Sequence, residues 1–199
     1  HAQATVYEAE ANLSENTYRE GTDCTRSTWR GRLNASGCTY RRGANFAECT
    51  WDCDVTLAGC TYEKDAVFMS TAFHGTAHMK GCTYRAGAYF SYSEFRGDTD
   101  FSGSVFRHDT EFVGCRWRGR ADLSGCTLHH VSFEGSSHLW AITFRGTQFS
   151  GGRCVFDRSV YAGGIDFTGA AQASTAQERT AGEPQVSFTD CFLNPHHEN

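Results

Sequence analysis

Proline is nearly absent from this chain: two residues in 199, against 21 glycines. Proline removes a backbone donor and glycine permits tight corners, so the balance suits strand ladders interrupted by many sharp turns. No apolar run approaches the ~18 residues that a membrane-spanning helix needs, so no such span is expected. The net charge of -5 points neither to a histone-like partner nor to a strong acidic field. No C-x-x-C pair occurs, and Cys49 and Cys53 lack a matching second pair, so no zinc site and no metal cofactor is expected. A nucleophile beside a base, paired catalytic carboxylates and a phosphate-cradling glycine loop are also missing, so no cofactor of any kind is implied. The chain begins at His1 with neither Met nor a signal peptide in view, which reads as a processed or cloned end. A free amino-terminal histidine can chelate copper, but nothing else in the sequence follows that pattern.

What the chain does have is repetition. Gly37-Cys38-Thr39-Tyr40 returns as Gly59-Cys60-Thr61-Tyr62 and as Gly81-Cys82-Thr83-Tyr84, a period of 22 residues. That is the length of one coil of a solenoid. Within each period a large apolar residue recurs at alternating steps of five and six, as in Tyr40, Phe46, Trp51, Leu57 and Tyr62. Neither a helix nor a simple strand gives that spacing. A small residue stands two places before each large one, so small-x-large reads as a short strand with two side chains in and one out.

Four such strands per coil (5+6+5+6) make a square turn, with successive coils about 4.8 Å apart. The inner columns then read Tyr40/Tyr62/Tyr84/Phe106/Leu128, Phe46/Phe68/Phe90/Phe112, Trp51/Phe73/Phe95/Trp117 and Leu57/Met79/Phe101/Leu123. Their uniform size keeps the cross-section constant. The expected fold is all-β, a single solenoid domain over residues 1–199.

Ala11-Asn12-Leu13-Ser14-Glu15 and Ala121-Asp122-Leu123-Ser124-Gly125, with Ala44-Asn45-Phe46 and Thr99-Asp100-Phe101 as near matches, resemble the pentapeptide-repeat family. The resemblance covers roughly residues 5 to 169 and implies a right-handed quadrilateral β-helix, with coils slightly longer than the family's twenty. It also implies end-to-end dimerisation. For the quinolone-resistance members, it implies DNA mimicry through outward carboxylates and binding to DNA gyrase or topoisomerase IV.

Of the ten cysteines, Cys38, Cys49, Cys60, Cys82, Cys115, Cys126 and Cys154 share the inward small-residue position and read as buried small hydrophobes. Stacked neighbours with parallel Cβ vectors about 4.8 Å apart are too distant for a disulfide. Free thiols suggest a reducing cytoplasm.

The period falters from Leu128: Phe133 follows after five residues instead of six, and Gly151-Gly152-Arg153 adds a bulge. Residues 170–185 read as an inserted loop or short helix. Strand grammar returns over 186–193 as a terminal strand or cap, where Phe188, Phe192 and Leu193 offer apolar groups at an open end for a homodimer.

On the outside, the corner after the Tyr40 column carries Arg41, Arg42, Lys64, Arg85 and Arg107, a basic ridge that could meet phosphates or an acidic protein. Glu94, Asp98, Asp100, Asp109, Glu111 and Asp122 gather within less than two coils, with Arg96, Arg107, Arg116, Arg118 and Arg120 among them. His108, His129 and His130 fall at stacked corners and are the only candidates for catalysis. The leading expectation is a non-catalytic, cytoplasmic binding protein that protects a type II topoisomerase from an antibiotic or toxin. The alternatives are an enzyme or accessory protein of natural-product assembly that uses the histidines, and a structural scaffold.

Overall fold

Small-x-large triplets pair through only two of their three residues in most coils, and this produces a stack of very short parallel strands. The computed structural model describes residues 3–172 and 185–193, which hold 31 strands from Val6–Tyr7 to Phe192–Leu193. Each coil contributes one strand to each of four faces. Face 1 starts at Val6–Tyr7 and forms a nine-stranded sheet; face 2 starts at Ala11–Asn12 and forms an eight-stranded one. Faces 3 and 4, starting at Thr17–Tyr18 and Thr22–Asp23, merge into one fourteen-stranded sheet. This is the right-handed quadrilateral β-helix. In the regular coils partners lie 22 residues apart, as in Val6 with Thr28 and Thr61 with Thr83.

The four columns stack as the spacing requires. Ring centroids lie 4.9 Å apart for Tyr40 and Tyr62, 4.8 Å for Phe68 and Phe90, and 4.8 Å for Phe73 and Phe95. Between columns the rings meet edge to face, as in Tyr40 with Phe46 at 88°. Each such contact adds about 0.5–1.5 kcal/mol to the burial of the rings. The stack continues beyond the columns above, through Phe112, Phe133 and Phe156 to Phe188.

Two of the four corners are tight. Between faces 2 and 3 the Cys60 amide donates to the Leu57 carbonyl, with Gly59 at φ 69°. Between faces 4 and 1 the Cys49 amide donates to the Phe46 carbonyl, with Glu48 at φ 58°. The bond and the positive φ at the third residue are those of a type II turn. Asp or Asn in the middle of faces 2 and 4 caps these turns: the Asn34, Asn45, Asp100 and Asp122 side chains accept from amides two residues on. That is the Asx turn.

The inward small position does more than fit. Cys38, Cys60, Cys82 and Cys126 donate their thiols to the Leu13, Ala35, Leu57 and Phe101 carbonyls of the preceding coil. Ser104 and Thr147 do the same with hydroxyls in that column. A second column mixes Cys49, Thr71, Ser93, Cys115 and Ser159 in the same role. Burial pushes the Cys49, Cys115 and Cys126 thiols up to about 12, so they remain protonated donors. Among the described residues all ten cysteines are free, as their spacing requires.

The other two corners are longer, and one of them is irregular. Val105–Glu111 and Thr127–Ser132 run straight through the corner between faces 3 and 4, which is why those faces share a sheet. Leu128 and Val131 are separated there by His129 and His130 alone, one residue short of the usual three. One coil later Ser150 to Arg153 supply one more than usual before Cys154. The strand at Ala171–Gln172 occupies the start of the expected insert; residues 173–184 and His1 lie outside the described residues.

If the column residues act as donors, Cys82→Ser should hold the urea midpoint near that of the parent protein. Cys82→Ala, which leaves the buried Leu57 carbonyl with the Cys60 amide alone, should lower stability by about 0.5–1.5 kcal/mol. Equal losses in the two variants would show that volume alone matters at this position.

Candidate functional site

The two long corners lie diagonally across the square, and their charges are organised in opposite ways. The corner between faces 1 and 2 mixes the two signs from coil to coil and is zipped by ion pairs. Arg30 meets Glu8 at 2.7 Å, Arg32 meets Asp54 at 3.9 Å, and His74 meets Asp52 at 2.8 Å. Glu94, on face 1 beside that corner, takes Arg96 at 3.1 Å and Arg118 at 2.7 Å. The Arg96 hydrogen bond is the chief reason its carboxyl lies below the ordinary range.

The corner between faces 3 and 4 repeats one sign instead. Arg41, Lys64, Arg85 and Arg107 are all exposed, and none of the four makes an ion pair among the described residues. Arg42 is the exception, meeting Glu20 at 3.2 Å. The stacking is fixed by the backbone, since Arg41 and Arg85 donate to the Tyr18 and Tyr62 carbonyls of the coils before them.

The acidic residues divide between these corners. Glu94, Asp98, Asp100 and Asp122 lie on faces 1 and 2 and the corner joining them, whereas Asp109 lies at the diagonally opposite corner and Glu111 on face 4. Asp100 and Asp122 are register partners, each with one carboxylate oxygen on a turn amide. Asp98 accepts from the Arg120 amide, and Glu111 from the Ser91 hydroxyl. The face position, invisible in the linear clustering, separates them.

The three histidines lie on neighbouring strands at one corner. His108 is exposed, His129 and His130 are half-buried on the next strand, and His130 Nδ1 lies 3.8 Å from Asp109 Oδ1. Gly151 and Gly152 of the following coil pass so close that a Cβ on them would meet the His129 and His130 rings at 3.2 and 3.0 Å. Among the described residues no three His, Cys, Asp or Glu side chains are arranged to hold a metal.

One histidine escaped the sequence reading. His138 occupies the face 1 ring column between Trp117 and Tyr161, at 5.4 and 4.8 Å, and is 1% exposed. Its Nε2 contacts the Ser136 hydroxyl while Nδ1 has no partner, and burial lowers its pKa to about 3. The one-residue slip at the preceding corner hid it, since the spacing no longer pointed to position 138.

Toward the C-terminal end the surface turns apolar. Leu139, Trp140, Val160, Val186, Phe188 and Phe192 are exposed, against only Val6, Met69 and Tyr92 elsewhere among the described residues. Phe188 ends the phenylalanine column, stacked on Phe156 at 4.7 Å. Phe192 takes the outward position of face 1 beside Val160, and Leu193 pairs with Tyr161.

With coils, columns and caps in view, the class is that of the repeat solenoids built from five-residue units. Over residues 68–116 and 90–137 the chain matches the family model described as Pentapeptide repeats (9 copies). No curated protein sequence matches it. Among solved structures it is similar to trypsin-treated QnrB1, a plasmid-mediated fluoroquinolone resistance protein. There identity is 16%, coverage 86% of this chain and 92% of the other, and TM-score 0.26. It is also similar to HetL, a pentapeptide-repeat protein involved in heterocyst differentiation regulation from the cyanobacterium Nostoc sp. Here identity is 11%, coverage 96% and 87%, and TM-score 0.18.

His138 gives the protein an acid-labile point. Its folded pKa of about 3 lies below the ordinary 6.5, so the unfolded chain takes up the proton first. Stability is therefore complete above pH 6.5 and falls as the pH drops toward 3, by up to about 1.4 kcal/mol per unit. His138→Phe should flatten the loss of melting temperature between pH 7 and 5; an unchanged profile would place the acid sensitivity elsewhere.

Proposed function

We propose that this solenoid acts by binding rather than by catalysis, and that its partner is a type II topoisomerase, DNA gyrase or topoisomerase IV, which it shields from an antibiotic or toxin. The observation that carries this reading is the fixed placement of the Asp100 and Asp122 carboxylates. Each is anchored on a rigid ladder by a turn amide, one coil apart, with a second oxygen left for a partner. A surface that reads DNA phosphates would meet anions that lose little freedom on contact. Asp98 and Glu94 extend the same side.

Asparagine serves as the turn cap at Asn12 and Asn34 of the same face, so charge can be removed without removing the cap. The purified protein should preserve gyrase supercoiling in the presence of a fluoroquinolone, without added metal. Asp100→Asn with Asp122→Asn should abolish the rescue at unchanged melting temperature. Supercoiling indifferent to the parent protein would sink the topoisomerase reading.

We also propose that the apolar C-terminal surface pairs two copies. Sedimentation at tens of micromolar, an order of magnitude above the ~μM range in which weak dimers dissociate, should give a dimer that Trp140→Ser with Phe192→Ser converts to monomer. A monomeric parent protein at that concentration would refute the pairing.

A further inference from the structure

The corner between faces 3 and 4 stacks cations, of which Arg41, Lys64, Arg85 and Arg107 make no ion pair among the described residues. From residue 19 to residue 153 that corner holds seven Lys or Arg against four Asp or Glu, on a chain whose net charge is -5. Its diagonal counterpart shows that the fold can balance such a column, since Glu8, Arg30, Asp52 and His74 alternate down the coils and pair. Stacking the same sign at one coil's spacing raises the energy of the folded chain instead. The row holds Arg19, Arg41, Lys64, Arg85 and Arg107, interrupted by Glu63 at the middle coil. It ends where the corner itself departs from the repeat, at His129 and His130 beneath Gly151 and Gly152.

We infer that this ridge is a binding edge for the phosphodiester backbone of a single-stranded nucleic acid, separate from the carboxylate side and from the protein partner proposed above. The shape selects the ligand. A corner touches its partner along a line, so a membrane, whose charge is spread over a plane, would meet only a strip of it. A row with about one cation per coil, running some 20 Å from Arg19 to Arg107 at ~4.8 Å per coil, matches a chain with one negative charge per unit laid alongside. A protein surface rarely offers carboxylates in so long a file. In a duplex each strand winds once around the axis in about 34 Å, so over this length it would turn more than half way off a straight ridge. An extended single strand can follow it throughout.

One aromatic lies beside the row. Tyr89 on face 4 is half-buried and its ring covers Gly87, where any Cβ would meet the phenol oxygen at 2.3 Å. Glycine at 87 leaves room for the ring against the corner just after Arg85, where a base carried by the bound strand would reach it.

The test uses the whole chain and a fluorescein-labelled oligothymidylate of about 20 nucleotides, followed by anisotropy, with a duplex of equal length and polyglutamate as comparisons. Binding should weaken roughly a hundredfold between 50 and 200 mM salt, the slope for about five phosphate contacts on a single strand. Arg41→Glu with Arg85→Glu should weaken it at least tenfold, and Arg116→Glu with Arg120→Glu, the same charge change away from the ridge, by less than threefold. Arg41→Gln with Arg85→Gln, which removes charge without reversing it, should lower the salt slope by about 1.4 and serves if the reversed variant melts early by circular dichroism. No binding at 50 mM salt, equal loss in ridge and control variants, or duplex or polyglutamate bound as tightly as the single strand would each overturn the assignment.

Discussion

Nearly every strand residue described in this molecule has a register partner one coil away, because parallel strands stack at a single distance. Whatever occupies a position must therefore be compatible with a copy of itself about 4.8 Å along the axis. Aromatic rings meet the condition by stacking, and asparagine and aspartate meet it by turning inward to cap their own corner. Thiols and hydroxyls meet it by pointing at a carbonyl of the preceding coil instead of at each other. The same condition makes charge the hardest property to repeat, and so the most informative one on the surface.

The columns were legible because burial leaves a spacing that sequence alone displays. Tyr40, Phe46, Trp51 and Leu57 announce a square cross-section before any coordinates, and the stacking distances follow from it. The direction of a hydrogen bond leaves no such mark. Cys60 and Ser104 occupy equivalent places, yet one looks like a hydrophobe and the other like a polar residue until both are seen to donate. His138 was hidden for a related reason: a single missing corner residue shifts the count, and a histidine among rings does not look like a ring position.

The candidate surfaces were half visible. Column arithmetic placed Arg41, Arg85 and Arg107 on one edge, and the structure has them there. Linear proximity, by contrast, grouped Asp98 with Asp109, which the square separates across its diagonal. Ion pairing could not be read at all, since whether Arg118 reaches Glu94 depends on side chains 24 residues apart in sequence. It is this pairing, frequent at one corner and sparse at the other, that distinguishes the two columns.

The short corner at His129 and His130 and the long one at Ser150 to Arg153 follow each other in successive coils, and together they restore the phase. Thr127 still pairs with Gln148, and Val131 with Cys154. The repeat is thus counted face by face, with no running tally carried along the chain, and a local miscount is forgiven once the next strand finds its partner. That gives the solenoid one seam where the chain can be lengthened or shortened while the ring columns stay aligned. A protein whose interior admits so little variation keeps its room for change along that seam.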